Sequence, residues 1–346
     1  MLLPEISNLD VIAQEQARAR QNRLTKPQGS LGRLEELSVQ LAGIIGNAQP
    51  KIKEKAVIVM AADHGVAREG VSAYPPEVTP QMVLNFLRGG AAINVLSRQA
   101  GARIVVVDIG VAFDFQGVSG LLHRKISYGT QNLSRQAAMS LEQCEEAIQT
   151  GIDIVAFEKE RGLDLVATGD MGIGNTTPSA AIVSVLCRVD PELVTGRGTG
   201  VDDSGLQLKI NAIRRGIDAN DPDPHDPIDV LRKVGGFEIA GLVGVILGAA
   251  NLKIPVVIDG FISGAAALVA GKLCPASTQY MIASHQSVEI GHQVLLRELG
   301  LKPLFNMDMR LGEGTGAVLA FHFVEAASRI LSEMATFDEA GVSGKG

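Results

Sequence analysis

The sequence predicts an α/β fold, an open sheet of parallel strands with helices on both faces. Two observations predict it. Short, continuously apolar β-branched runs alternate with helical stretches, the pattern of strands buried on both sides. Nearly every unusual polar residue falls where one of those runs ends, and the ligand crevice of an open parallel sheet lies there. A third observation agrees. Trp is absent and aromatics make up 4% of the chain, so Ala, Val, Ile, Leu and Gly do the packing, which suits close helix-on-sheet contact.

At 346 residues the chain exceeds most single cores, so one large domain with a smaller attachment, or two domains, is expected. Residues 8–46 read as helical around a polar break, Thr25-Lys26-Pro27-Gln28-Gly29-Ser30-Leu31-Gly32. After the break Leu34, Leu37, Leu41 and Ile44 recur at helical spacing. The break carries Lys26 and is followed by Arg33, so it could also approach a ligand. Strands are then expected at 56–60, 103–107, 163–167, 254–258 and 278–283. They lead into Asp63-His64-Gly65, Asp108-Ile109-Gly110, Thr168-Gly169-Asp170-Met171-Gly172, Asp259-Gly260-Phe261 and Ser284-His285-Gln286-Ser287. The uncharged run 239–252 is too short to span a bilayer and reads as a buried helix. Segment 216–229, with prolines at 222, 224 and 227, reads as a surface loop. Residues 339–346 read as a frayed tail.

Composition narrows the function. A net charge of −7 without a Lys/Arg cluster argues against nucleic acid as a partner. Cys144, Cys187 and Cys274 are sparse, odd in number and without CxxC spacing, which suggests a reducing compartment. Cys187 reads as a small buried hydrophobe. The first twenty residues lack a secretory pattern, so a cytoplasmic protein with no membrane contact is expected. No histidine pair has zinc-protease spacing and Cys and His do not cluster, so no metal site is expected. There is no GxSxG elbow either.

Three segments carry candidate chemistry. In Thr168-Gly169-Asp170-Met171-Gly172-Ile173-Gly174-Asn175-Thr176-Thr177, a strand meets a glycine turn and a helix start. Glycines let backbone N–H groups approach an anion, and the helix N-terminus favours it. An ordinary tight turn with a capped helix has the same composition. In Gly196-Arg197-Gly198-Thr199-Gly200, with Lys209 in the helix beyond, alternate glycines beside a cation again suit an anion, or form a plain loop. In Leu311-Gly312-Glu313-Gly314-Thr315-Gly316, Glu313 lies between glycines where a flat substrate could reach its carboxylate. The same Glu could simply offset the dipole of the next helix. His64 and His285 end predicted strands, where scaffold and acid–base roles are equally open.

Taken in order, these segments resemble one family, the nicotinate-nucleotide–dimethylbenzimidazole phosphoribosyltransferases of cobalamin biosynthesis. The resemblance also rests on Leu24 to Glu35, Asp63-His64-Gly65-Val66-Ala67, Gly70 to Pro75, Gly89 to Asn94, Asp259-Gly260-Phe261 and Ser284-His285, and spans about residues 20–325. It implies a Rossmann-like sheet plus a small helical domain built from both termini (1–50 with 317–346, against 51–316), assembled as a homodimer. It implies no cofactor and no catalytic metal. The implied reaction moves the phosphoribosyl group of nicotinate mononucleotide to 5,6-dimethylbenzimidazole, with Glu313 as proton acceptor. Gly172, Gly174, Asn175, Thr176, Gly198, Gly200, Lys209 and Ser287 would hold the donor phosphate and ribose. Ser72, Tyr74, Gln81 and Leu311 would line the base pocket. Asp170 stands where some relatives are expected to carry Glu, so it either contacts substrate with a shorter arm or caps the turn. An oxidoreductase on the same architecture would need GxGxxG after the first strand, and Ala61-Ala62-Asp63-His64-Gly65 does not supply it. A non-catalytic nucleotide sensor would not need Glu313.

Overall fold

The computed structural model describes residues 3–343; residues 1, 2 and 344–346, the end of the expected tail among them, lie outside it. Among the described residues six strands form one sheet: β1 (Lys55–Ala62), β2 (Arg103–Gly110), β3 (Leu121–His123), β4 (Leu165–Met171), β5 (Val256–Ile258) and β6 (Met281–Ala283). The order is β3-β2-β1-β4-β5-β6 and every pairing is parallel. The chain enters at the centre, winds outward through β2 and β3, then returns to β4 on the other side of β1. That reversal opens a crevice beyond the strand ends.

Every residue of β1 is buried, and its alternation divides the core in two. Ile58 and Met60 face α5 (Leu141–Glu160), α6 (Thr176–Cys187), α8 (Pro227–Val234), α9 (Phe237–Asn251) and α10 (Phe261–Leu273). Val57 and Val59 face α2 (Arg33–Ile45), α3 (Val78–Arg88), α4 (Ala92–Ala100) and α12 (Thr315–Glu333). The α/β class with helices on both faces is therefore present as the apolar runs predicted. The buried helix expected at 239–252 is α9. It crosses α5 so closely that a Cβ on Gly244 would sit 1.9 Å from the Ile148 carbonyl oxygen. No helix among the described residues is long and apolar enough to cross a membrane.

The termini meet. Ala17 of α1 (Val11–Gln21) packs with Val39, Ala42 and Leu331, and Leu24 pairs antiparallel with Thr336. Arg20 donates to the carbonyls of Leu331 and Met334.

Several boundaries differ from expectation for identifiable reasons. Residues 278–280 belong to a 3₁₀ turn, Pro275–Tyr280, because Thr278 Oγ1 bonds back to the Pro275 carbonyl at 2.8 Å; the strand begins only at Met281. Strand β4 continues through Asp170 to Met171, where a turn was expected. The expected loop 216–229 shrinks to 221–226. Helix α7 (Asp203–Asn220) runs on to Asn220, and α8 starts at Pro227, a position where proline fits a helix, capped by Asp226. The start of the expected frayed tail is instead α13 (Phe337–Ala340), capped by Thr336 and tied by Phe337 N–H to the Arg23 carbonyl at 2.9 Å. Cys187 is half-buried at the end of α6, its thiol pushed up to about 11 by burial, and is no nucleophile.

Candidate active site

Glu313 sits in the turn that opens α12. Gly312, Glu313 and Gly314 have φ of +82°, +62° and +92°. Glycine adopts this region freely; a glutamate there costs about 1 kcal/mol. The turn rests on the carboxyl edge of the sheet. A Cβ on Gly169 of β4 would lie 2.5 Å from the Glu313 carbonyl oxygen, so only glycine fits. Asp259, at the end of β5, holds the turn: Oδ2 accepts from Gly314 N–H at 3.1 Å and Oδ1 from Ala317 N–H at 2.9 Å.

The Glu313 carboxylate is buried, and its Oε2 accepts from Ile93 N–H in the first turn of α4 at 3.3 Å. Burial pushes this carboxyl above the ordinary value, the Ile93 N–H pulls it back, and the Asp259 charge raises it again. A carboxyl so placed is a better proton acceptor than one in water. No lysine or arginine pairs with it among the described residues.

The turn that carries Glu313 lies beside Asp170, which bonds to the first glycine turn. A Cβ on Gly312 would lie 3.1 Å from Asp170 Oδ2. That same oxygen accepts from Asn175 Nδ2 at 3.0 Å, inside the turn that includes Gly172 and Gly174. Asn175 precedes Thr176, the first residue of α6, whose Oγ1 accepts from Lys209 Nζ at 2.8 Å. Lys209 also donates to the Gly196 carbonyl at 2.9 Å, and Gly198 lies against both Thr176 and Lys209. Burial pulls the Lys209 ammonium down to about 8, while nearby Glu289 opposes the shift. Strand end, helix start, lysine and loop thus converge, bringing backbone N–H groups and one ammonium together.

The remaining candidates fall around this axis. Ser72 Oγ is 3.1 Å from Thr199 Oγ1, so its segment docks on the 196–200 loop beside Gly200. Thr79 Oγ1 accepts from Ile173 N–H at 3.1 Å, which docks the start of α3, and Gln81 with it, on the first glycine turn. Tyr74, Gln81 and Leu311 are exposed, free to meet a ligand from outside rather than line a closed cavity. Ser287 is buried, its Oγ 3.4 Å from Glu289 N. His64 is buried against Glu238 at 2.8 Å; burial opposes its charge, but Glu238 and Asp63 win and raise it. His285 lies 3.0 Å from Ser284 Oγ through Nδ1 and stacks on Phe305, and burial lowers it to about 4. Both histidines occupy hydrogen-bonded scaffold positions. No group of His, Cys, Asp and Glu suited to a metal ion occurs among the described residues.

Sequence reasoning missed Asp259, Glu289, Glu238 and Arg310, which hold these loops from behind. Arg310 Nη1 donates to the Gly198 carbonyl at 3.0 Å and Glu289 Oε1 accepts from Gly198 N–H at 2.9 Å. Asp259 had a signal, an acid at a strand end. Glu289 had none, since its partner lies 91 positions away.

The acids share one burial problem. Asp170 is raised well above its usual value by burial and by the charges of Asp259, Glu238 and Glu313; Asp259 is raised to about 7, chiefly by burial. A carboxyl raised in the folded state binds its proton more tightly there, so its contribution to stability is lost as pH rises. With Asp259 going from 3.8 unfolded to about 7 folded, the window is roughly pH 4 to 7. Over the upper part of that window, pH 5 to 7, the urea midpoint is expected to fall, and Asp170→Asn is expected to flatten the slope. An equal slope in both proteins would mean that Asp170 does not share in the titration.

Comparison with known proteins decides the family. A model described as Phosphoribosyltransferase matches residues 6–342. The chain belongs to this phosphoribosyltransferase family. It is 59% identical over 341 residues (99% of this chain, 97% of the relative) to the nicotinate-nucleotide–dimethylbenzimidazole phosphoribosyltransferase of Chloroflexus aurantiacus. It is 57% identical over 343 residues (99% and 97%) to the protein of the same name from Dehalococcoides mccartyi. The crystal structure of the Thermus thermophilus enzyme of that name superimposes with a TM-score of 0.93 at 45% identity, covering 97% of this phosphoribosyltransferase and 100% of that chain.

Proposed function

We propose that this phosphoribosyltransferase moves the 5-phosphoribosyl group of nicotinate mononucleotide to 5,6-dimethylbenzimidazole, giving α-ribazole 5′-phosphate and nicotinate. The observation that carries the reading is that the turn holding Glu313 lies beside Asp170, which bonds to Asn175, while the next residue, Thr176, bonds to Lys209. In this reading the proton acceptor and the phosphate-holding groups follow one another along this line of residues. The names of the relatives, at 57–59% identity over nearly the whole chain, supply the substrates.

In this reading one benzimidazole nitrogen bonds to C1′ as the C1′–pyridinium bond breaks. Nicotinate leaves with the bonding pair, a good leaving group because its nitrogen starts positive. The proton on the other benzimidazole nitrogen passes to Glu313. Lys209, Thr176 and the turns at Gly172, Gly174, Gly198 and Gly200 hold the phosphate, with Asn175 and Ser287 beside them. Asp170 braces the first glycine turn through Asn175, and Asp259 tethers the turn that carries Glu313. Ser72, Tyr74, Gln81 and Leu311 receive the base from the open side. His64 and His285 support the strand ends. The same reading includes a cytoplasmic homodimer, with residues 1–50 and 317–346 as the smaller unit; the packing of α1, α2 and the end of α12 supports that grouping.

The test is a turnover assay on the purified protein with both substrates. Nicotinate and α-ribazole 5′-phosphate are expected to appear in equal amounts. Binding of the mononucleotide without release of nicotinate would favour a sensor and overturn the reading.

A further inference from the structure

The phosphate site contains an acid that its chemistry does not ask for. Glu289 immediately precedes α11 (Ile290–Leu299), makes no side-chain cap bond to it, and is 7% exposed. Its Oε1 accepts from Gly198 N–H at 2.9 Å, a donor that an anionic ligand could otherwise use. Its Oε2 is buried without a hydrogen-bond partner among the described residues. That oxygen lies 2.1 Å from where a Cβ on residue 196 would be, so the loop closes over the carboxylate only because 196 is glycine. Two of the three Lys209 donors are used nearby, one on the Gly196 carbonyl of that loop and one on Thr176 Oγ1 at the start of α6. Glu289 therefore touches the loop that touches the lysine, from a helix that carries none of the other phosphate groups.

We propose that Glu289 is a positioning residue for the phosphorylated substrate, fixing the 196–198 backbone and the Lys209 ammonium in one arrangement across α6, α7 and α11. The proposal rests on the reading above that the donor phosphate meets Lys209. Leaving a carboxylate orphaned in an apolar setting is costly unless a cation shares the space. Lys209, bonded to the Gly196 carbonyl of the same loop, is the cation whose charge Glu289 favours. Burial alone drives the ammonium toward its neutral form, and Glu289 is the charge that opposes this.

Apart from Arg310, which binds the same loop, the other charged groups on the packed elements are engaged elsewhere. Arg310 donates to the Gly198 carbonyl, and Arg197 pairs with Asp203 at the head of α7. Asp202 caps α7 through Gly205 N–H. Toward the 3₁₀ turns Gly65–Glu69 and Pro191–Leu193, Arg215 closes on Glu69 and Arg214 on Asp190 and Glu192. On α11 itself, His292 accepts from Ser287 N–H and burial lowers it to about 3, so it carries no charge at neutral pH. Glu289 is the charge that opposes the effect of burial on Lys209.

Two variants separate its two tasks. Glu289→Gln can still accept from Gly198 N–H but carries no charge. Its kcat/KM for nicotinate mononucleotide is expected to lose its alkaline limb about one pH unit earlier than the unaltered protein, the direction that removing an opposite charge gives. Glu289→Ala removes the loop contact as well, and KM for the mononucleotide is expected to rise on the order of tenfold. In both, kcat and the KM for the base should change about twofold or less. Lys209→Met is the control for the underlying reading. If it leaves KM for the mononucleotide unchanged, the phosphate site lies elsewhere and the proposal falls with it. If it raises KM while both Glu289 variants keep the original KM and alkaline limb, the site stands and only the role of Glu289 is overturned. A lower KM in Glu289→Ala would show the carboxylate competing with phosphate, again against positioning. Equal losses for both substrates with an unmoved pH profile would make Glu289 merely structural and also overturn the proposal.

Discussion

Glu313→Gln is expected to lower turnover by roughly 10²–10⁴, the usual contribution of a general base, with little change in KM for either substrate. The amide is close to isosteric and can still accept from Ile93 N–H, so the turn on the sheet edge should survive. Stability should hold or rise slightly at pH 8. A buried carboxyl whose value is raised resists ionisation in the folded protein, and the amide removes that conflict. The pH profile gives a second test. The base works deprotonated, so activity disappears as pH falls through the Glu313 value. Because burial and Asp259 raise that value, the acid limb should lie above the ordinary carboxylate range. In Glu313→Gln the residual rate should lack this limb. Near-normal turnover in the variant would remove Glu313 from the chemistry.

Much of the sheet was legible because buried parallel strands must be apolar throughout, as at 56–60 and 103–107. Strand β3 was not, since three residues against one neighbour need little pattern. The end of β4 was misplaced for a related reason. Thr168, Gly169 and Asp170 look like turn residues, yet they continue a central strand: Thr168 Oγ1 finds the Val257 carbonyl at 3.3 Å, and Gly169 makes room for the Glu313 main chain. The prolines between 216 and 229 marked a break correctly but overstated its length, because proline opens a helix as readily as it ends one. At the candidate site, the groups placed by glycine and helix-start chemistry could be read from local sequence. The groups that brace them could not. Glu289 reaches Gly198, Glu238 reaches His64, and Asp259 reaches Gly314 and Ala317, each across dozens of positions and without a local constraint on residue type. Resemblance could name the segment holding Asp259, yet its task became visible only when α12 was seen to start on that carboxylate.

Asp259→Ala should therefore combine a stability loss with a loss of rate. Both carboxylate oxygens accept a backbone N–H at the start of α12, and both donors are buried. Removing the acceptors leaves two orphaned N–H groups, worth about 3 kcal/mol in total. The Glu313 turn, strained at +62°, then loses its tether, and a displacement near 1 Å there is enough for about 10²-fold in rate. Urea unfolding and a turnover assay read the two losses separately; a variant within about 1 kcal/mol of the original and fully active would show the tether to be dispensable. Asp259→Asn divides the effect. Its amide keeps one acceptor but points N–H against N–H at the other, so about half of the stability loss should remain. It also removes a negative charge that raises Glu313. The acid limb of the rate profile should then move to lower pH even as the maximal rate falls, a combination that loosening the turn alone cannot produce. An acid limb that stays in place would mean that Asp259 acts on Glu313 only as a mechanical anchor.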